Sequence, residues 1–319
     1  MIIAASLCPW PPVLARELTG RDPVIPELRK ACTEATERLV GARPELIAVV
    51  GPADQTRRWD PGSRLDLSVF APALGSGGTP ALPPSVGLGA LLLDQIGYRG
   101  PRILEAVSEH EEAAGCAELG AAIGGSAERV GLLVMGDGSA RRSTQAPGYY
   151  DERAAAFDAE TERALRHGDL DALLAISPAL ARELLATGRP AWQVMAGAIR
   201  QRAGASAAAA AVPEGRRFPP WLQAGRAQRG LGAEGLAADI LYSDAPFGVG
   251  YLVAFLGVAL LSVTLLRRSQ PPPFVPLINS RTSATLLYLS LAATSGAPLG
   301  MKRAFSTSTR KRSKIGNFP

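Results

Sequence analysis

The chain has 319 residues, 47% hydrophobic and 20% charged, a balance that suits a globular protein with a core and excludes a disordered or fibrous one. The formal net charge of +5 is unevenly placed: all 29 acids lie at or before Asp244 together with 25 of the 34 bases, so the body is near −4 and the last 75 residues carry +9. A body of that sign gives no footprint for nucleic acid, and three scattered cysteines, Cys8, Cys32 and Cys116, exclude a disulfide framework or a Cys-rich metal knuckle.

Residues 2–7 are an apolar run that predicts a short buried strand, and it stops at Cys8-Pro9-Trp10-Pro11-Pro12. The first residues lack a basic n-region and a long apolar stretch, so a cytoplasmic protein with reduced thiols is expected. Leu28, Cys32, Ala35 and Leu39 recur at helical spacing, with Gly41 as a C-cap, which predicts a helix over 25–41. Glu45–Pro52 reads as a second buried strand. Strand, helix and strand in that order predict a parallel pair with a right-handed crossover.

Residues 53–84 are rich in Gly, Pro and Ser and read as a long excursion, with a short strand at Arg64–Phe70. A helix is predicted over 86–96. The clearest strand follows Arg129, where five apolar residues run into Gly136-Asp137-Gly138-Ser139. The helix expected over 151–167 has its acids early and its bases late, which complements the helix dipole. Ser177-Pro178 starts another, expected to end at Gly188. A further helix is predicted over 192–202, then a low-complexity insertion over 203–235 and strand-like sequence over 239–254.

Residues 247–266 are twenty without a charge, followed by Arg267-Arg268. That length can span a bilayer, while its first half also reads as a core strand. Residues 255–319 form a basic, acid-free extension whose end is expected to be disordered.

Several segments carry chemistry-bearing residues. In Gly136–Arg142 the glycines free backbone N–H groups and Arg141-Arg142 supply charge. This suits either an anion site or a tight turn with solvated arginines, but no P-loop lysine follows. Ser139 has no evident histidine base. Tyr149 and Tyr150 offer a phenol and an aromatic wall, and Asp151 can cap the helix behind them. Cys8, Asp54, Asp137 and Asp151 could together hold a divalent metal if their loops share one end of the sheet. His110 and His167 fall on an acidic surface and at a helix end.

The stretches Ala5–Glu17, Leu132–Asp158, Glu183–Ala198 and Asp244–Ala254 resemble an actinobacterial family of uncharacterised proteins. That family is grouped with the class III extradiol ring-cleavage dioxygenases of B-subunit type, and more distantly with Memo-like proteins. The resemblance covers residues 1–254. It implies an α/β fold, a central mostly parallel sheet flanked by helices, with a pocket at the strand C-terminal ends. It also implies Fe(II) held by two histidines and a carboxylate. Yet Trp10 stands where the first histidine is implied, Asp54 is the only ligand type at the second, residues 139–141 lack the catalytic histidine, and Arg189 replaces the carboxylate.

The leading expectation is therefore a degenerate extradiol-like domain without the usual iron site, binding a small aromatic or other small molecule. Its pocket candidates are Cys8, Trp10, Asp54, Asp137, Ser139, Tyr149 and Asp151. One alternative is an active dioxygenase-type oxidoreductase with a non-standard non-haem site, Fe(II) or another divalent metal, on Cys8, Asp54 and Asp137. The other is an interaction protein tethered to a membrane through 247–266. No nucleic-acid partner is expected.

Overall fold

The structure is a computed structural model and describes residues 1–20, 24–74, 81–209 and 238–257, with the side chains of 202–209 left aside. Strand β1 (Ile2–Cys8) is buried along its whole length. A 3-10 turn opening at Pro12 and a one-turn helix α1 (Arg16–Thr19) lead into α2 (Pro26–Gly41), whose Leu28, Cys32, Ala35 and Leu39 face inward at the spacing read from the sequence. Then come β2 (Leu46–Ala53), β3 (Arg57–Trp59), α3 (Pro84–Gln95), β4 (Arg102–Ser108), α4 (Ala113–Gly124) and β5 (Val130–Met135). Four helices follow, α5 (Arg153–Arg166), α6 (Leu170–Leu174), α7 (Pro178–Glu183) and α8 (Arg189–Ala209), and then β6 (Ala238–Asp244) and β7 (Tyr251–Gly257).

The strands form one seven-stranded sheet in the order β3-β4-β2-β5-β1-β7-β6. The four in the middle, β4, β2, β5 and β1, are parallel; β3, β7 and β6 pair antiparallel with their neighbours. This is the expected α/β fold, a mostly parallel sheet flanked by helices. Helices α2 and α3 cover one face with Leu28, Leu39, Val86 and Leu88. On the other face α4, α5 and α8 bury Ile123, Phe157, Trp192 and Met195. A strand covered on both faces needs apolar residues at every position, and all six residues of β5 are buried. Helices α4 and α8 touch backbone to backbone: a Cβ on Gly120 would lie 2.0 Å from the Val194 carbonyl oxygen.

Connectivity places the point where the winding of the sheet reverses. The β1–α2–β2 and β2–α3–β4 crossovers step one way across the sheet on one face, and β4–α4–β5 steps back on the other. The chain leaves β1 toward α2 and leaves β5 toward α5, on opposite faces. Neighbouring strands whose exits part in this way form a topological switch point, which in doubly wound sheets generally is where ligands bind.

Five expectations need correction. The membrane span over 247–266 is overturned: Tyr251–Gly257 is β7, hydrogen-bonded between β1 and β6, and a sheet strand cannot also be a bilayer helix. No helix among the described residues is long and apolar enough to cross a membrane, and residues 258–266 lie outside the described residues. The strand expected over 64–70 is absent, because β3 already takes the edge of β4; Arg64 makes one bridge to Ala81, and Asp66 caps a 3-10 turn at Ser68 N. Helix α7 ends at Glu183, short of Gly188, since Leu184 turns its carbonyl to the Ala140 N–H and the Ser139 hydroxyl. Helix α8 runs on through the first seven residues of the supposed insertion, whose remainder from 210 is outside the described residues. Finally, β7 carries the domain past the expected boundary at Ala254, to Gly257.

Candidate functional site

The corner at the carboxyl ends of β1 and β5 is built from three loops. One step beyond the strands, the Gly136 N–H still donates to the Cys8 carbonyl at 2.9 Å, so the two exits remain zipped. Trp10 then crosses over: its backbone N–H donates to Asp137 Oδ1 at 2.9 Å, and its indole Nε1–H donates to Thr187 Oγ1 at 3.3 Å. Gly188 N–H donates to the Asp137 carbonyl at 2.9 Å and ties in the third loop. Pro11 and Pro12 fix the backbone that follows. Cys8, Trp10 and Asp137 are thus brought together because they follow adjacent strands.

Asp137 is the perturbed group. Burial pushes its carboxyl up to about 7, although the Trp10 N–H opposes the shift by favouring the carboxylate. Burial also raises the Cys32 thiol, followed by a hydrogen bond with Cys8 and the charge of Asp137. The Tyr251 phenol is raised by burial and then by Asp137. The corner therefore holds a carboxyl that changes charge near neutral pH beside the Cys32 thiol and the Tyr251 phenol, both of which stay protonated there.

Ser139 lies two residues further on and is fully buried. Its Oγ–H donates to the Leu184 carbonyl at 2.7 Å and its oxygen accepts from Arg141 N at 3.2 Å, so the hydroxyl is a structural bond and not a free nucleophile. The N–H groups of Gly136, Gly138, Ser139, Ala140 and Arg142 all donate within the protein, to Cys8, Gly250, Asp158, Leu184 and Gly248. Arg142 pairs with Asp158 at 2.7 Å. These bonds hold the glycine-rich segment as a tight turn and occupy the backbone donors that an anion site would use at Gly138, Ser139 and Ala140. Beside it is a cavity of about 20 Å3 walled by Gly138, Asp158, Trp192 and Gly250, room for roughly one water. The buried Trp192 indole N–H has no hydrogen-bond partner among the described residues.

The remaining candidates lie apart from the corner. Tyr149 and Tyr150 are 77% and 59% exposed, and Tyr149 sits at φ 61°, a left-handed turn that throws its ring to solvent. Asp151 caps α5 as expected, from one residue before the N-cap Glu152: its Oδ1 accepts from Arg153 N at 3.0 Å. The Arg153 guanidinium beside it draws its carboxyl down to about 2. Asp54 is exposed at the end of β2, where its charge adds to burial in raising the Glu109 carboxyl. His110 and His167 are both exposed.

Arg189, the residue at the implied carboxylate position, is 1% exposed. It donates to the carbonyls of Glu111 and Glu109, the latter at 2.6 Å, and to Gln193 Oε1 at 3.0 Å, pinning the loop after β4 onto α8. Burial lowers its pKa from the usual guanidinium value. A guanidinium has no lone pair for a metal, and neither does the indole of Trp10. Among the described residues no group of three or more His, Cys, Asp or Glu is placed to hold a metal ion. The residues present do not fit the implied iron. The dioxygenase, oxidoreductase and non-haem-iron reading is corrected on that donor set, and with it the metal site on Cys8, Asp54 and Asp137. Sequence reasoning missed the pinning role of Arg189, which the local pattern Thr-Gly-Arg-Pro does not signal.

No family model matches the chain, and no curated protein matches it. Among solved structures, an uncharacterised protein of Escherichia coli K12 superposes with a TM-score of 0.43 at 12% identity, over 80% of this chain and 100% of that one. So distant a likeness says nothing of the chemistry here.

Proposed function

We propose that this chain works by binding and not by oxygen chemistry: it is an α/β domain that keeps the crevice of an extradiol-like site and has lost its iron ligands. The observation that carries this is the buried Arg189, a fixed positive charge where a dication would need a negative one. Trp10 supports it by turning the corner into a hydrogen-bonded strut between Asp137 and Thr187. Asp137, half-shielded and able to carry a proton near neutral pH, is the group that would meet a small phenol or other small polar molecule. The three thiols are all buried and unpaired, which suits cytoplasmic action in a reducing compartment.

The test uses catechol as the probe. After loading with Fe(II) and desalting, the chain and Trp10→His are both expected to retain no stoichiometric iron and to consume no oxygen with catechol. Catechol is expected to bind the wild type saturably and to shift the amide signals of residues 8–12 and 136–140. Stoichiometric iron with turnover refutes the loss of iron chemistry, and silent amides at saturating catechol refute the binding role.

A further inference from the structure

A second concave site lies at the other end of the parallel strands, in a groove of about 610 Å3 between the turn after β3, the end of α3 and the start of β4. Because β3 runs antiparallel to β4 with Trp59 opposite Leu104, the chain at 61–64 comes alongside Arg102. Arg64, Arg99 and Arg102 line the groove with one carboxylate, Asp94. Both Arg102 and Arg99 donate to the same oxygen, Asp94 Oδ1, at 3.1 and 3.3 Å.

Arg102 is held in place. Its side chain is 9% exposed, donates to the Tyr98 carbonyl at 3.0 Å and lies 5.7 Å from the centre of the Tyr98 ring. Arg64 differs: among the described residues its guanidinium has no hydrogen bond or ion pair, and the residue is exposed at the groove wall. Three guanidinium groups against one carboxylate leave a surplus of two positive charges in one concavity. Like charges held together in one concavity disfavour the arrangement. A dianion offsets that surplus. A guanidinium presents two parallel N–H groups that match the oxygen pairs of a phosphate. The groove is far larger than an ion and within the size range of small-molecule sites, roughly 300–1,000 Å3.

We propose that this groove binds the phosphate group of a small phosphorylated organic molecule, with Arg64 and Arg99 closing on the oxygens that the fixed Arg102 orients. The site is at the opposite end of the sheet from the Trp10–Asp137 corner, so failure of one reading leaves the other standing.

Phenyl phosphate is the probe, titrated calorimetrically into the full chain, with benzoate at equal ionic strength as the monoanionic comparison. Saturable binding of phenyl phosphate is expected, tighter than that of benzoate. Arg64→Gln and Arg99→Gln should each weaken it by about ten-fold or more, the usual cost of losing one charge-assisted pair. Neither variant should change the thermal midpoint, and Arg166→Gln, on α5 across the sheet, should bind as the wild type does. The proposal is overturned by the absence of saturable heat, by benzoate binding equally well, or by both groove variants binding as tightly as the wild type.

Discussion

Replacing Asp137 by Asn removes the charge and keeps the geometry, because the amide oxygen can still accept the Trp10 N–H. The carboxyl is raised to about 7 from 3.8, a shift of about three units. At 1.36 kcal/mol per unit this is about 4 kcal/mol for complete burial, and about 2 to 4 kcal/mol once partial contact with water is allowed for. The sign follows from which state keeps the proton. The folded chain holds it up to about pH 7, while the unfolded chain releases it near pH 4. Stability from this group is therefore full below the unfolded pKa, falls as pH rises toward the folded one, and is flat above it. Asp137→Asn should match the wild type at about pH 4 and exceed it at about pH 8 by that 2 to 4 kcal/mol, with the gap opening between. Urea unfolding across that range, variant minus wild type, cancels every other titration. A gap independent of pH, or an Asn variant less stable at alkaline pH, would refute the burial of a neutral carboxyl at this corner.

Gly120→Ala should drive a methyl into the Val194 carbonyl, prise α4 from α8 and cost about 1–3 kcal/mol, read as a lower urea midpoint. Arg189→Met should strand the carbonyls of Glu109 and Glu111 and the Gln193 amide oxygen. The expected loss is about 3 kcal/mol in thermal or urea unfolding, with little recovered by Arg189→Lys, whose ammonium lacks the fork. Ending the chain at Gly257 should leave the far-ultraviolet spectrum of the sheet intact, and ending it at Gly250 should abolish cooperative unfolding, because β7 then no longer separates β1 from β6.

The elements legible in the sequence are those whose signal is carried by large apolar side chains. Strands β1, β2 and β5 are unbroken apolar runs because both faces are covered, and α2 shows its spacing because one face is wet. Strand β4 was missed because Glu105 interrupts it, and that carboxylate is acceptable only through its pairing with Arg58 on β3 at 2.7 Å, a partner 47 residues away. Helix α4 was missed for a different reason: its buried face is Cys116, Gly120, Ile123 and Gly124, and the two glycines that let α8 approach closely leave only a faint hydrophobic period. The corner was legible as far as its loops follow neighbouring strands. Tyr149 was misplaced because a positive φ at a tyrosine has no signature in the sequence. The arginine groove was invisible for the same reason as β4: Arg64 and Arg102 meet only through sheet pairing.

The place of β7 bears on how this chain comes off the ribosome. Strand β1 is made first, yet one of its two hydrogen-bonded neighbours is β7, about 250 residues later. At about 5–20 residues per second, a nascent β1 waits on the order of ten seconds or more with that edge unpaired. The edge belongs to a strand whose seven residues are all destined for the interior, the kind of surface that recruits other chains. Synthesis of this domain should therefore depend on something that shields β1 until the last strand arrives, and slow translation should favour aggregation over native yield.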